Sequence, residues 1–120
     1  MSHPVSVLEM SPQEVHRALI NGQVMLVDVR EPQEYAAERI HGALLFPLST
    51  FDAAFLPGDD ERRVVFHCAG GVRSMNAAMR RLAAYGKAAH MKGGIAAWKA
   101  AGLPTVRVDP ATGQVVDAPA

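Results

Sequence analysis

Val64-Val65-Phe66-His67-Cys68-Ala69-Gly70-Gly71-Val72-Arg73-Ser74 is the stretch that decides the fold of this 120-residue chain. An apolar, β-prone run leads into the sole cysteine, a glycine-bearing loop follows, and an arginine and a serine open a helical run. The order is strand, loop, helix. Backbone N–H groups of so tight a loop converge on a point just beyond the strand, and the helix N-terminus adds its partial positive charge there. A thiol at the loop entrance has its anionic form favoured by that field and by Arg73. An anionic substrate is drawn to the same point. A lone cysteine in a soluble chain is more often a small buried hydrophobe. Cys68, however, ends a strand instead of sitting within one, and Gly70-Gly71 suits a backbone that bends sharply or approaches a ligand closely. These residues favour a nucleophile in an anion cradle, with Ala69, Gly70, Gly71, Val72, Arg73 and Ser74 as its walls.

Outward from the loop, helices and strands alternate. Val5, Val7 and Leu8 suggest a short first strand, and Ser11-Pro12-Gln13-Glu14 predicts a helix start with Ser as N-cap, Pro in first position and Glu in third. Val15, Ala18 and Leu19 share one face of that helix, which Asn21-Gly22 ends with a left-handed cap. Val24 to Arg30 is a nearly unbroken apolar run, as expected of a strand covered on both faces. Asp28 near its end is costly in a dry core unless hydrogen-bonded. Glu31-Pro32-Gln33-Glu34-Tyr35 starts a second helix, ending around Ile40-His41-Gly42-Ala43, and Leu44-Leu45-Phe46 reads as a short strand. Residues 49–55 read as one helical piece capped by Ser49 or Thr50, with Phe51 and Phe55 on one face. Pro57-Gly58-Asp59-Asp60 reads as a turn. In the helix from Ser74 to Tyr85-Gly86, Ala77, Ala78, Met79 and Leu82 have helical spacing, Met75 and Met79 read as core filler, and Arg80 and Arg81 read as outside. A weak strand at 88–91, Gly93-Gly94, a helix from Ile95 to Ala101 with Trp98, and a closing Gly102-Leu103-Pro104 follow. Thr105 to Val108 adds a candidate strand. Residues 1–107 thus read as one domain and 108–120 as a mobile C-terminal tail. The architecture is α/β, with a central, mostly parallel sheet flanked by helices on both faces. Ligands of such sheets bind beyond the carboxyl ends of the strands, where Cys68 lies.

Composition narrows the function. Twelve basic residues balance twelve acidic ones, and no strong basic cluster suggests a nucleic-acid surface. One cysteine makes no internal disulfide, which fits a reducing compartment. Met1-Ser2-His3-Pro4 lacks the basic and apolar regions of a signal peptide, and no apolar run is long enough to span a bilayer. The expectation is a soluble cytoplasmic protein without membrane or nucleic-acid partners. Five histidines and one cysteine show no metal-ligand spacing, so neither a metal nor another cofactor is expected.

Three stretches together resemble the single-domain rhodaneses, the thiosulfate-type sulfurtransferases. They are Leu26 to Tyr35 continuing through Ile40-His41-Gly42-Ala43 and Phe46-Pro47-Leu48, the Cys68 loop through Ser74, and Lys92-Gly93-Gly94-Ile95-Ala96-Ala97-Trp98 closing with Ala101-Gly102-Leu103-Pro104. They span most of residues 5–104. One departure is Arg39-Ile40-His41, where many members have Gly-His-Ile-Pro; it lies away from the loop. The resemblance implies a rhodanese-like fold and sulfur transfer by double displacement. Cys68 takes a sulfane sulfur from a small anionic donor such as thiosulfate and passes it to a thiophilic acceptor such as cyanide or a thiol, or to a sulfur-relay protein.

The residues give physical reasons for those roles. Loop amides hold the dianionic donor and the charged persulfide, and Arg73 adds bidentate reach to an oxyanion. Ser74 either caps the helix or donates its hydroxyl. His67 precedes Cys68 on the strand, so alternation turns it to the opposite face. Asp28 and Arg30 read as supports that brace the fold or the loop, paired with each other or with Glu34. Trp98 and Tyr35 read as packing residues. Cysteine phosphatases and arsenate reductases share His-Cys and Arg-Ser, but the tyrosine phosphatase signature has one residue more between Cys and Arg than the four here. The shorter loop makes a tighter pocket, suited to a sulfane sulfur more than to a phosphoryl group. A non-catalytic binding module is disfavoured because both Cys68 and Arg73 are present. A persulfide carrier serving a partner enzyme uses the same Cys68 chemistry and stays open.

Overall fold

Four helices and two sheets follow from these local signals in a computed structural model that describes residues 6–58 and 61–119. Strand β1 (Leu8–Met10) leads into α1 (Pro12–Ile20), which starts as its sequence predicts. Glu14 N donates to Ser11 Oγ and Ser11 N donates to Glu14 Oε1, at 3.1 and 3.0 Å. Gly22, at φ +68, turns the chain after Asn21. This reciprocal cap supports Val15, fully buried at the centre of one side of the core. Ser11→Ala should therefore cost about 1 kcal/mol of stability, read as a lower urea midpoint with an unchanged slope. An unchanged midpoint would show that packing alone holds α1.

Next come β2 (Val24–Asp28), α2 (Pro32–Ala37), β3 (Leu44–Leu45), β4 (Arg63–His67), α3 (Val72–Tyr85), β5 (Ala89–Met91) and α4 (Gly94–Ala100). The main sheet has strand order β1-β5-β4-β2-β3, with every pairing parallel. Register places Leu26 beside Val65 and Val65 beside Ala89, and this row packs with Val15 of α1 and Ile95 and Trp98 of α4. The alternate row, Val27 beside Phe66, packs with Ala77 and Ala78 of α3 and with Phe51 and Ala53. Two apolar faces thus sandwich the sheet, as parallel strands require. Among the described residues no helix is long and apolar enough to cross a membrane.

Several local expectations are corrected. The segment 49–55 is two short 3-10 turns, Leu48–Thr50 and Ala53–Phe55, the second capped by Asp52 accepting from Ala54 N. Phe51 reaches the core while Phe55 is 78% exposed, because the extended Phe51-Asp52 backbone breaks the helical face. α2 ends at Ala37, earlier than its sequence suggests, with Glu38 extended. On α3, Met79 is exposed and Arg81 is buried, the reverse of their expected places. Arg81 lies over the Tyr85 ring at 4.1 Å and donates to the Pro57 carbonyl at 2.7 Å, so its charge is met inside the fold. Beyond Thr105 the chain forms an antiparallel hairpin of β6 (Val106–Val108) and β7 (Val115–Asp117). A domain boundary at 107 falls within β6. The hairpin turns where Asp109 accepts from Ala111 N through its side chain and from Gly113 N through its carbonyl. Val106 also bridges Arg39, tying the hairpin to the chain after α2. Val5 of the expected first strand, Asp59 and Asp60 of the expected turn, and Ala120 of the tail lie outside the described residues.

Candidate active site

β2 and β4 lie side by side, yet the chain leaves β2 towards β3 on one side and leaves β4 towards β5 on the other. The loops beyond their carboxyl ends therefore diverge and open a crevice. Cys68 follows β4 at this point, as the sequence predicts.

The loop folds around the sulfur. Gly71, at φ +109, is the residue before α3 and adopts a conformation open to glycine at little cost. Its amide donates to Cys68 Sγ at 3.1 Å, and the Ser74 amide donates to the same atom at 3.3 Å. The Ser74 hydroxyl lies 3.5 Å from Sγ. Cys68 is only 1% exposed. Burial pushes its thiol up, but the hydrogen bonds from the Ser74 hydroxyl and amide and from the Gly71 and Gly70 amides outweigh that, and the thiol ionises below its ordinary value. α3 begins at Val72, so Ser74 sits inside its first turn and does not cap it. Its hydroxyl instead reaches back to the Gly71 carbonyl, 3.2 Å away. Gly70 and Val72 are the exposed members of the loop.

The other face of the loop rests on the start of α4. Ile95 N donates to the Cys68 carbonyl at 2.9 Å and Ala96 N donates to the Ala69 carbonyl at 3.1 Å. Gly94, at φ +62, faces this backbone so closely that a Cβ there would lie 2.5 Å from Ala69 C and O. Glycine at 94 lets the start of α4 come this close to the loop backbone.

Arg73 has a partner from a distant element. Its guanidinium forms a bidentate pair with Glu34 of α2, at 2.7 and 3.0 Å, across the crevice. That pairing raises the Arg73 pKa and holds Glu34 down at about 2. The bidentate reach expected of Arg73 towards an oxyanion is taken up here by the Glu34 carboxylate, which clamps α2 to α3. Asp28 and Arg30 pair with each other, Nη2 to Oδ2 at 2.8 Å, and Arg30 also donates to the Glu38 carbonyl at 2.7 Å. They brace the end of β2 against the end of α2. His67 lies opposite Asp28 in register, on the face away from Phe66, with Nε2 3.5 Å from the Asp28 carboxylate. Burial lowers its pKa and keeps it neutral at ordinary pH. Trp98 is buried with its Nε1 donating to the Pro104 carbonyl, and Tyr35 donates its hydroxyl to the Ala43 carbonyl, in line with packing roles.

Two residues near the thiol carry no local signal in the sequence. His90 of β5 is buried with Nδ1 3.0 Å from Ser74 Oγ, and Glu9 of β1 is 3.2 Å from its Nε2. The only hint is that a histidine interrupts the otherwise apolar run 88–91. Among the described residues no cluster of His, Cys, Asp and Glu is grouped to hold a metal ion.

Residues 11–101 match the family described as the rhodanese-like domain. A protein of Allochromatium vinosum named sulfurtransferase is 38% identical over 84 residues, covering 69% of this chain and 78% of its own. The probable adenylyltransferase/sulfurtransferase MoeZ of Mycobacterium tuberculosis is 39% identical over 94 residues, covering 73% of this chain. The chain spans only 24% of MoeZ, and 55% of an uncharacterised Synechocystis relative. Among solved structures, a thiosulfate sulfurtransferase from Pseudomonas aeruginosa superposes with a TM-score of 0.72 at 25% identity, covering 89% of this chain and 21% of that one.

Proposed function

The chain belongs to the rhodanese-like domain family, and on that premise we propose that it moves a sulfane sulfur from a small anionic donor, thiosulfate or a related persulfide, to a thiophilic acceptor through a persulfide on Cys68. The observation that carries this reading is the Cys68 sulfur itself. It is buried, yet receives the Gly71 and Ser74 amides and is held below the ordinary thiol pKa. Those donors favour negative charge on sulfur, which a purely structural thiol does not need.

The reaction follows from that charge. The Cys68 thiolate attacks the outer sulfur of thiosulfate, forming a new S–S bond while the donor's S–S bond breaks and sulfite leaves with its electron pair. An acceptor nucleophile, cyanide or a thiolate, then attacks the outer persulfide sulfur, and Cys68 departs as thiolate. The amides at the loop stabilise anionic sulfur at both ends of the cycle. Ala69 to Ser74 bind the donor, with Arg73 keeping the loop seated against α2 while lending positive potential. Asp28 and Arg30 support from behind. The same chemistry belongs in a reducing compartment such as the cytoplasm, where a single thiol stays free.

Thiocyanate formation from thiosulfate and cyanide tests the reading; turnover lost with Cys68 supports it. Arg73→Ala should raise the KM for thiosulfate several-fold with a smaller fall in kcat, because the clamp acts mainly on donor binding. Unchanged thiosulfate saturation would remove Arg73 from the binding site. A second reading, a persulfide relay to a partner enzyme, is favoured by the likeness to MoeZ, whose name couples adenylyl and sulfur transfer. Sulfur transferred onto Cys68 by a cysteine desulfurase, with poor thiosulfate turnover, would select it.

A further inference from the structure

We propose that His90 is the positioning residue that receives the Cys68 proton, through Ser74, with Glu9 fixing the imidazole for that task. The inference rests on the reading of Cys68 as the nucleophile and names what ionises it. Cys68 Sγ, Ser74 Oγ, His90 Nδ1, His90 Nε2 and Glu9 form one continuous chain, with contacts of 3.5, 3.0 and 3.2 Å. It is assembled from four separate elements, the loop after β4, the first turn of α3, β5 and β1. The Ser74 and His90 side chains are buried, whereas Glu9 is half exposed, so the chain leads from an enclosed thiol to the surface.

The order of donors sets the direction. A carboxylate accepts only, so Glu9 requires a proton on His90 Nε2 and leaves Nδ1 of the neutral ring as an acceptor. The single Ser74 Oγ–H has two acceptors in reach, the Gly71 carbonyl at 3.2 Å and Nδ1 at 3.0 Å; when it turns to Nδ1, the oxygen accepts from the Cys68 thiol. Ionisation proceeds along this line. The S–H bond breaks as an O–H bond forms on Ser74, and the former Ser74 proton moves to Nδ1. The products are a thiolate and an imidazolium paired with Glu9, with no proton or electron unaccounted for. Ser74 Oγ–H now points at the thiolate. When the thiolate is consumed by forming a persulfide, the proton can leave by way of Glu9. The groups presented to His90 are Glu9 from β1, Phe66 beside it on β4 and Ser74 from α3, with Cys68 and the Glu34-paired Arg73 beyond Ser74. His67 lies on the other face of the sheet against Asp28.

The protein has one cysteine, so its thiolate can be read without interference from another thiol. Ultraviolet thiolate absorbance and iodoacetamide alkylation, each followed against pH, give the Cys68 titration in the wild type, His90→Asn and Glu9→Gln. Asn can keep a hydrogen bond to Ser74 but cannot hold the proton, which separates proton uptake from packing. His90→Asn should shift thiolate formation upward by about one pH unit and slow alkylation below that range about tenfold. Glu9→Gln should shift it the same way by less. The reciprocal measurement needs no change at His90: in Cys68→Ser, nitrogen NMR of the His90 ring should show its titration moved to lower pH, because the thiolate that favoured the imidazolium is gone. A folded His90→Asn protein with an unmoved thiolate titration, or a His90 ring titration indifferent to Cys68→Ser, would overturn the proposal. Neither readout uses a sulfur donor, so coupling present in a protein without sulfur transfer would support the relay while rejecting the proposed reaction.

Discussion

Cys68→Ser should abolish thiocyanate formation, by at least about a thousandfold, while leaving the fold nearly as stable as before. The loss is expected because an alcohol at this position stays protonated and is a poor sulfur acceptor, so the double displacement cannot start. The stability expectation comes from the cradle: the Gly71 and Ser74 amides that now point at Sγ can donate to a serine oxygen instead. A cysteine serving only as a buried hydrophobe would show the opposite pattern, with stability lost and any turnover kept. Near-wild-type turnover in Cys68→Ser, at matched urea midpoints, would remove the mechanism.

Gly94→Ala should be among the most damaging single changes to the fold. A methyl group there meets the backbone of Cys68 and Ala69, which cannot turn aside as a side chain can, and the residue is held at φ +62. Both the left-handed strain and the backbone clash act together, for a loss of about 3 kcal/mol or more. Gly22→Ala is the comparison. Gly22 has a similar φ of +68 but open space around a Cβ, so only the strain of about 1–2 kcal/mol applies. Because Ile95 and Ala96 donate to the Cys68 and Ala69 carbonyls, Gly94→Ala should also displace the loop and slow alkylation of Cys68. Equal losses in the two variants, read from urea unfolding, would show that the loop gives way to α4 without cost.

What the sequence made legible is what short-range chemistry encodes. The Ser11–Glu14 capping box, the buried Asp28 needing a partner and the strand–loop–helix around Cys68 each depend on neighbours within a few residues. The position of the thiol at a strand's carboxyl end followed from the alternation of elements. The partners were not legible where they came from distant parts of the chain. Glu34 in α2 and Arg73 in α3 are separated by β3 and β4, and nothing local says that they pair. Glu9 and His90 meet because β1 lies beside β5, a strand order that residue patterns do not give. Helical spacing puts Arg81 on the outer side of α3, and the groups that draw it inward, the Tyr85 ring and the Pro57 carbonyl, appear only in the fold. The candidate strand at 105–108 is present as β6, whereas its partner β7 is not legible because a strand this short shows no period, leaving only the Asp109–Gly113 turn as a signal.

The measurement that bears most directly on the central claim is the intact mass of the protein after incubation with thiosulfate, before and after cyanide. With one cysteine in the chain, a gain of a single sulfur atom reports on one residue. Sulfur transfer through Cys68 requires that gain, its removal by cyanide with thiocyanate released, and its absence in Cys68→Ser. A folded protein with a titratable thiol whose mass stays unchanged with thiosulfate, and also with a small-molecule persulfide donor, would contradict it.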